Sequence, residues 1–253
     1  MSQRDPDGAS PPAGEPGGIR RFIDDYRRLR LSEGFASTDP AFVRGLPFRD
    51  TTGRNPGIWR IRAVHYALVR GCLALLPRSE RVLDLGAGNG WLARRLAGAH
   101  RVTALDLDAG ETGLGGLDDA RVHRVCGELE ALPLRDGSFD VVIAAAALHY
   151  ATRLPRALAE IARVLRPGGA FILADSPVYA DPLARHKAWQ RTLSYYGGAG
   201  AAHLAQRYRG LTRAELEGSG LFRFITISPG IAPWRALRRD AGPRMPVLLG
   251  RKR

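Results

Sequence analysis

The chain has 253 residues, of which 45% are apolar and 25% charged, so it can bury the core of one large domain with appendages. This composition excludes a wholly disordered, collagen-like or disulfide-stapled chain. The formal charge of +13 is concentrated in residues 204–253, which carry 11 basic and 3 acidic side chains, so an anionic partner at that end is one interpretation.

The termini and the cysteines narrow the class of protein further. No apolar stretch reaches the roughly 20 residues that a membrane-spanning helix needs. Residues 1–18 contain Pro, Gly and charge where a secretion signal needs an apolar core, so we expect a cytoplasmic protein. Cys72 and Cys126 match no metal-binding or redox spacing, so we expect two buried thiols and no metal site.

Three regions are predicted in chain order. Residues 1–18 include eight Pro or Gly residues and form a predicted disordered leader. Residues 19–80 form a predicted helical cap, in which apolar residues recur with a helical period from Ile58 to Leu76 and stop before Pro77. Residues 81–253 form the predicted core, with an aromatic-rich lid inserted at about 176–210.

Strand-like and helical runs alternate through the core. Strands are predicted at 81–86, 101–108, 121–127, 139–148 and 170–175, with an amphipathic helix at 154–165 and a turn at 166–169. Two further strands, within 221–230 and 244–252, would close one edge as an antiparallel hairpin. The pattern predicts a doubly wound α/β fold with a mostly parallel, seven-stranded sheet and helices on both faces. The run at 139–148 is apolar throughout, as expected for a central strand.

A glycine loop follows the first predicted strand. Gly86, Gly88 and Gly90 permit a sharp turn and expose the amides of the following helix to a ligand, as in many nucleotide binders. Asp84 precedes them, and its carboxylate would repel a pyrophosphate by about 4 kcal/mol per unit-charge pair. The loop therefore favours a cationic, phosphate-free ligand such as S-adenosylmethionine. A dinucleotide remains the alternative, because Gly88, Gly90 and Ala93 also fit its Gly-x-Gly-x-x-Ala fingerprint.

A second acid ends the second predicted strand. Asp106 lies twenty residues after Gly86, where a carboxylate can accept hydrogen bonds from both ribose hydroxyls of an adenosine. Asp108 is a second candidate for the same role. The structural alternative for Asp106 is an acid in a solvated loop.

Several motifs together carry a family resemblance. The runs VLDLGAGNG, ALDLD, CGELEALPLRDGSFDVVIAAAALHY and LAEIARVLRPGGAFILAD, between Arg81 and Asp175, resemble class I S-adenosylmethionine-dependent methyltransferases of the type 11 small-molecule group. The resemblance implies a Rossmann-like fold and S-adenosylmethionine as cofactor. It also implies that the cofactor-binding residues are Asp84, Gly86, Ala87, Gly88, Gly90, Asp106, Leu107, Glu128, Leu129 and Ala145.

The resemblance further implies roles for these residues. Asp84 and the glycines would surround the methionine part of the cofactor, Asp106 would bind the ribose, and Leu107 would pack on the adenine. Glu128, where the family more often has Asp, would lie near the adenine amino group. Leu129 would donate its backbone N–H to the adenine ring, and Ala145 would lie close to the sulfonium.

Methyl transfer from a sulfonium is an in-line displacement, so positioning supplies much of its acceleration. A base is needed only if the acceptor atom is protonated, and His149, after the fourth strand, is the candidate. Its structural alternative is to satisfy local backbone groups. Tyr150 is a candidate substrate contact.

Residues outside the motifs are assigned by position alone. His186 and His203 are interpreted as surface or lid residues, and Arg62 as a partner for the cofactor carboxylate. The candidate lid and cap aromatics are Tyr179, Trp189, Tyr195, Tyr196, Tyr26, Trp59 and Tyr66.

The leading hypothesis is therefore an enzyme that methylates a small organic acceptor on oxygen, nitrogen or carbon. An RNA or DNA methyltransferase is an alternative prompted by the basic C-terminal residues. Against it, the fourth strand leads into AAAALHY rather than an Asn- or Asp-Pro-Pro-aromatic segment, and no RNA-binding module is evident. A non-catalytic cofactor-binding or dinucleotide-binding protein is the third possibility, because fold does not determine function.

Overall fold

A computed structural model describes residues 16–228 and 245–252. Most of the predicted leader and the residues between Ser228 and Met245, which carry part of the basic C-terminal charge, lie outside the described residues. Helix α1, Pro16–Glu33, includes the last three residues of the predicted leader. It is followed by α2, Pro40–Gly45, and α3, Pro56–Leu75.

A seven-stranded sheet forms the centre of the molecule. In chain order its strands are β1 Arg81–Leu85, β2 Arg101–Asp106, β3 Val122–Cys126, β4 Phe139–Ala145, β5 Leu165–Ala174, β8 Phe222–Ser228 and β9 Val247–Lys252. Their spatial order is β3-β2-β1-β4-β5-β9-β8. The first five strands are parallel, whereas β9 runs antiparallel to both β5 and β8. The predicted fold class is confirmed.

Helices and a small second sheet complete the fold. Helix α4 is Trp91–Leu96 and α5 is Leu154–Val164. The predicted lid contains β6 Val178–Tyr179, α6 Pro182–Gly198 and a 3-10 turn at Ala202–Arg207. Strand β7, Leu211–Thr212, pairs with β6 and leads into α7, Arg213–Gly218. None of the helices described here is long and apolar enough to cross a bilayer.

The sheet separates two apolar layers because neighbouring side chains on a strand point to opposite faces. Val82 and Val141 pack with α3 and α4 on one face, whereas Leu83 and Val142 pack with α5 on the other. Both layers are fully buried, as a doubly wound sheet requires.

The structure differs from two local expectations. The predicted turn at 166–169 lies within the bounds of β5, where the pairing register with β4 shifts between Phe139 and Val141. It is therefore an irregularity of the strand, which Gly168 enables with a φ of 68°. The expectation of two buried thiols was wrong for Cys126, which is exposed at the end of β3, whereas Cys72 is buried.

Candidate active site

A cavity of about 360 Å³ lies at the carboxyl ends of β1, β2 and β4. This is where doubly wound sheets bind ligands, because the loops leaving adjacent strands diverge there. The cap supplies the opposite wall through α1 and α3. Of the predicted residues, those that line the cavity are Gly86, Ala87, Gly88, Asp106, Leu107, Asp108, Leu129, Ala145, His149, Tyr150, Tyr26, Trp59 and Arg62.

The glycine loop forms the floor of this cavity. Gly86, Gly88 and Gly90 all have positive φ, between 54° and 72°, which residues with a Cβ rarely adopt. A Cβ at Gly86 would collide with Ala147, and one at Gly90 would meet the Leu117 side chain at 2.5 Å. A Cβ at Gly88 would meet nothing within 4 Å. The loop is therefore packed tightly on its protein side and open at Gly88.

Asp84 lies outside the cavity lining, and its predicted contact with the methionine part of the cofactor stays a prediction. Its carboxyl group is 2% exposed and accepts a hydrogen bond of 3.0 Å from the Ala93 N–H. Burial raises the pKa of Asp84 to about 7, with a smaller contribution from Asp106. Asp84 therefore ties the end of β1 to α4 behind the glycine loop. The predicted repulsion between this carboxyl group and a bound phosphate stays a prediction.

Asp106 lines the cavity at the end of β2. Its carboxylate accepts hydrogen bonds from the Gly88 N–H at 2.8 Å and the Asp108 N–H at 2.9 Å. Burial raises the pKa of Asp106 above its ordinary value. Asp106 thus joins the glycine loop to β2 and presents a carboxylate to a ligand held between them.

Asp108 belongs to a contact between the core and the cap. Its carboxylate accepts hydrogen bonds from the Arg27 guanidinium on α1, at 2.5 Å from Nη2 and 3.2 Å from Nε. The two-point geometry suits a planar guanidinium and fixes the position of α1 over the loop after β2. Asp108 also lines the cavity, but its charge is compensated by the Arg27 guanidinium, so Asp106 is the stronger candidate for a ribose ligand.

The two residues predicted to contact the cofactor in the segment after β3 have different positions. Leu129 lines the cavity, whereas Glu128 and Gly90 do not. Glu130 performs a structural role that the sequence did not indicate, because its carboxylate accepts hydrogen bonds from the N–H groups of Thr152 and Arg153 at the start of α5. This acid therefore anchors the loop that presents Leu129.

His149 lies in a short 3-10 turn, Leu148–Tyr150, just beyond β4. Its ring is 5% exposed, and its Nδ1 lies 3.1 Å from the Ser176 Oγ. Burial, together with smaller contributions from the positive charges of Arg30 and Arg62, lowers the pKa of His149 to about 3. The imidazole is therefore neutral near pH 7, with Nδ1 engaged by Ser176.

Tyr150 belongs to a group that we call the tyrosine cluster, defined by Tyr26, Tyr150, Tyr196 and Tyr208. Arg30 of α1 donates a hydrogen bond of 2.9 Å to the Tyr150 hydroxyl and one of 3.4 Å to the Tyr196 hydroxyl. Its guanidinium also lies 4.7 Å from the centre of the Tyr26 ring. Sequence reasoning missed Arg30, because nothing in the surrounding run RRLRLSE distinguishes it from its neighbours.

A second missed feature is a buried pair between His65 of α3 and Asp175, which follows β5. His65 Nδ1 lies 2.5 Å from an Asp175 oxygen, and both side chains are nearly inaccessible. Asp175 lines the cavity and has a φ of 54°, a strained conformation for a residue other than glycine. Ala146, after β4, has a φ of 58° and also lines the cavity. The available signal was Asp175 at the carboxyl end of a predicted strand.

The other predicted aromatics divide between the cavity and the packing around it. Tyr66 packs edge-on against Trp91, outside the cavity lining. Tyr179 and Tyr196 are buried in the lid, whereas Tyr195 is 47% exposed. Trp189 packs against the buried cluster around Tyr196. His186 is exposed, and His203 lies 3.1 Å from Asp25 of α1.

The cavity suits an adenosyl donor on three observations. Gly88 leaves open space where a side chain would otherwise stand, and Asp106 offers a carboxylate beside it. The Trp59 Nε1 is buried without a hydrogen-bond partner in the cavity wall, which leaves a donor for a ligand oxygen. Within the described ranges no group of three His, Cys, Asp or Glu side chains could hold a metal ion.

Comparison with known proteins gives consistent results. Residues 83–173 match the family described as Methyltransferase domain. A malonyl-[acyl-carrier protein] O-methyltransferase from Pectobacterium atrosepticum is 38% identical over 175 residues, which are 67% of this chain and 62% of the relative. A ubiquinone/menaquinone biosynthesis C-methyltransferase, UbiE, from Methylobacterium nodulans is 35% identical over 165 residues, 55% of this chain and 65% of the relative.

Among solved structures, the YcgJ protein from Bacillus subtilis superimposes with a TM-score of 0.52 at 20% identity, over 75% of this chain and 99% of that chain. This likeness concerns the fold. The chain spans less than two thirds of the length of either curated relative. The matched residues include the glycine loop, Asp106 and the β4 end that together line the cavity. Residues 83–173 therefore match a methyltransferase domain, and the chain is similar to class I S-adenosylmethionine-dependent methyltransferases.

Proposed function

We propose that this protein transfers a methyl group from S-adenosylmethionine to a small organic acceptor. The observation that carries the proposal is the joint placement of the open Gly88, the Asp106 carboxylate and the His149 turn around one cavity. The relatives named above methylate oxygen in one case and carbon in the other, so both reactions are candidates for this chain.

The donor end of the cavity would be formed by the glycine loop and Asp106. Asp106 would accept hydrogen bonds from the ribose hydroxyls, and Leu107 and Leu129 would enclose the adenine with apolar surface. Glu128, outside the lining, would act on the shape of this segment rather than by direct contact. Arg62 stacks on Trp59 at 4.5 Å and would attract the carboxylate of the methionine part.

When bound, S-adenosylmethionine supplies a methyl group on a sulfonium, whose sulfur leaves without needing a proton. The residues of this chain then have to orient the acceptor and exclude water. Ala145, Ala146 and Ala147 give the cavity small, apolar walls beside His149. A neutral His149 can accept a hydrogen bond from a hydroxyl acceptor. Its lowered pKa makes it a weak base. We therefore assign His149 the role of orienting the acceptor, rather than that of removing a proton from it.

Isothermal titration tests the donor site through Asp106→Asn. We expect the wild-type protein to bind S-adenosylmethionine and the variant to bind it about tenfold more weakly, because hydrogen bonds to a charged acceptor are lost. Asp118→Asn, an exposed acid in a nearby loop, is the matched control and should bind normally. Tighter binding of NAD than of S-adenosylmethionine would instead support the dinucleotide alternative.

A further inference from the structure

The acceptor end of the cavity has an unusual charge distribution for a buried site. Arg30 is 18% exposed, and its Nη1 is paired with Glu33 at 2.7 Å. Its Nη2 is directed to the other side, at the hydroxyls of Tyr150 and Tyr196. One edge of the guanidinium is thus neutralised by a carboxylate, whereas the other edge contacts only uncharged groups of the tyrosine cluster.

The hydroxyl of Tyr150 is prepared to donate. A guanidinium can only donate hydrogen bonds, so the Tyr150 oxygen accepts from Arg30, and the Tyr150 hydrogen can go either to the Tyr26 hydroxyl, 3.4 Å away, or to a ligand oxygen. Burial raises the pKa of Tyr150, so that hydrogen is retained at any physiological pH. Tyr150 lines the main cavity and can therefore donate to an oxygen of a ligand held there.

A second cavity, of about 430 Å³, lies behind this group. Its walls include Tyr179, Tyr195, Tyr196 and the side chains of Arg191 and Ala188. Arg30 and Tyr208 line both cavities and so form the wall between them. No Asp or Glu is among the described residues that line this second cavity, so its charged groups are two guanidiniums.

Aromatic rings and guanidinium groups together favour a planar ligand that carries a carboxylate. Tyrosine rings offer apolar faces that stack on planar, unsaturated molecules, and the edge of a guanidinium matches the two oxygens of a carboxylate. The carboxylates that line the main cavity already have partners: Asp106 accepts from the Gly88 N–H, Asp108 pairs with Arg27, and Asp175 lies against the His65 ring. The described residues that line the second cavity with Arg191 include no carboxylate.

We propose that the methyl acceptor is a planar aromatic acid, whose carboxylate binds at Arg30 and Tyr150 and whose ring packs against the tyrosine cluster. The inference rests on the proposed function for the identity of the neighbouring donor site. It adds the chemical class of the acceptor, which the family match leaves open.

Titration with paired probes tests this inference. The protein is first saturated with S-adenosylhomocysteine, and 4-hydroxybenzoate is then compared with its neutral amide, 4-hydroxybenzamide. We expect the acid to bind at least about tenfold more tightly, because only the acid forms charge-assisted hydrogen bonds with Arg30. Phenyl phosphate serves as a third probe and should bind more weakly than the acid, since the site matches a planar carboxylate.

Three variants assign the effect to residues. Arg30→Met and Tyr150→Phe should each reduce the preference for the acid over the amide, the first by about tenfold and the second by several-fold. Arg28→Met, on the outward face of the same helix with a side chain 76% exposed, should leave the preference unchanged. Should Arg30→Met fail to fold, Tyr150→Phe still provides the test.

The inference is overturned if the amide binds as tightly as the acid, if phenyl phosphate binds more tightly than the acid, or if neither benzoate probe binds. It is equally overturned if folded Arg30→Met or Tyr150→Phe keeps the full preference for the acid. Failure of S-adenosylhomocysteine to bind in the first step would instead contradict the proposed function. The acid and the amide are then compared on the unsaturated protein, so that the two failures are distinguished.

Discussion

The sequence predicts where an acidic residue lies in a strand, but not the direction in which its side chain points. Asp84 and Asp106 both end strands, yet only the carboxylate of Asp106 lines the cavity. The carboxyl group of Asp84 instead accepts the Ala93 N–H, a partner nine residues away. The positions of the two acids follow from the strand pattern, but the direction of Asp84 depends on how α4 packs against β1. Asp84 thus stabilises the glycine loop from the side opposite the cavity.

The raised pKa of Asp84 has a consequence for stability. A carboxyl group that binds its proton more strongly in the folded state contributes stability below its unfolded pKa, and that contribution is lost as the pH rises through the folded value. We expect Asp84→Asn, whose amide oxygen can still accept from Ala93, to lose less stability than wild type between about pH 4 and pH 7. Urea denaturation across this range measures the difference.

Asp136→Asn serves as the control for this measurement, because Asp136 is an exposed acid with a side chain 79% accessible. Its pH dependence should parallel that of wild type. Parallel curves for wild type and Asp84→Asn would show that the Asp84 pKa is not raised by burial.

Arg30 and the His65–Asp175 pair show what the sequence alone could not indicate. The partners of these contacts are separated by 120 and 110 positions along the chain. No local pattern connects them, because they meet only when α1 and α3 pack over the ends of β4 and β5. The motif residues could be found because their spacing is set within one strand and the loop after it.

Among the elements, helix α1 makes the most contacts with the site that the sequence did not predict. Helices α1, α2 and α3 lie within the predicted cap, but the sequence did not indicate which of their side chains contact the core. Arg27 binds the loop after β2 through Asp108, and Arg30 contacts the tyrosine cluster. The first four strands, by contrast, were predicted to within three residues at each end, since their apolar runs are bounded by Gly, Pro or charge, whereas β5 begins five residues before its predicted start.

Removal of the Arg27 contact should loosen the cover over the donor site. We expect Arg27→Met to accelerate the dissociation of S-adenosylhomocysteine about two- to fivefold, the effect of losing a partly exposed ion pair. Stopped-flow displacement provides the rate constant. Arg21→Met removes an exposed contact with Asp25 on the same helix and should not alter the rate. An equal acceleration in both variants would mean that general weakening of α1, and not the Asp108 contact, is responsible.

At the scale of the whole molecule, the candidate site depends on elements from both parts of the chain. The cavity has its floor in the glycine loop and the ends of β2 and β4, and its opposite wall in α1 and α3. The fold class and the location of the site therefore follow from the alternating pattern of strands and helices. The acceptor side does not, because it is assembled from a cap and a lid that carry no motif.

A ligand that bridges these parts should stabilise the entire fold. At a concentration about 100-fold above its dissociation constant, S-adenosylhomocysteine should add about 2.7 kcal/mol to the free energy of unfolding. For a chain of this size the melting temperature should rise by about 5 °C or more, as measured by scanning calorimetry. Asp106→Asn at the same ligand concentration should show a smaller rise. An unchanged melting temperature in wild type would argue against binding.

The spacing of two arginines on α1 connects the two ends of the cavity. Arg27 and Arg30 lie three residues apart, about one helical turn, yet one contacts the loop beside Asp106 and the other the wall shared with the second cavity. The helix cannot swing away from one end without uncovering the other. Release of S-adenosylhomocysteine and release of the methylated product would then both require the same movement of α1. A change in this helix could not accelerate one without accelerating the other.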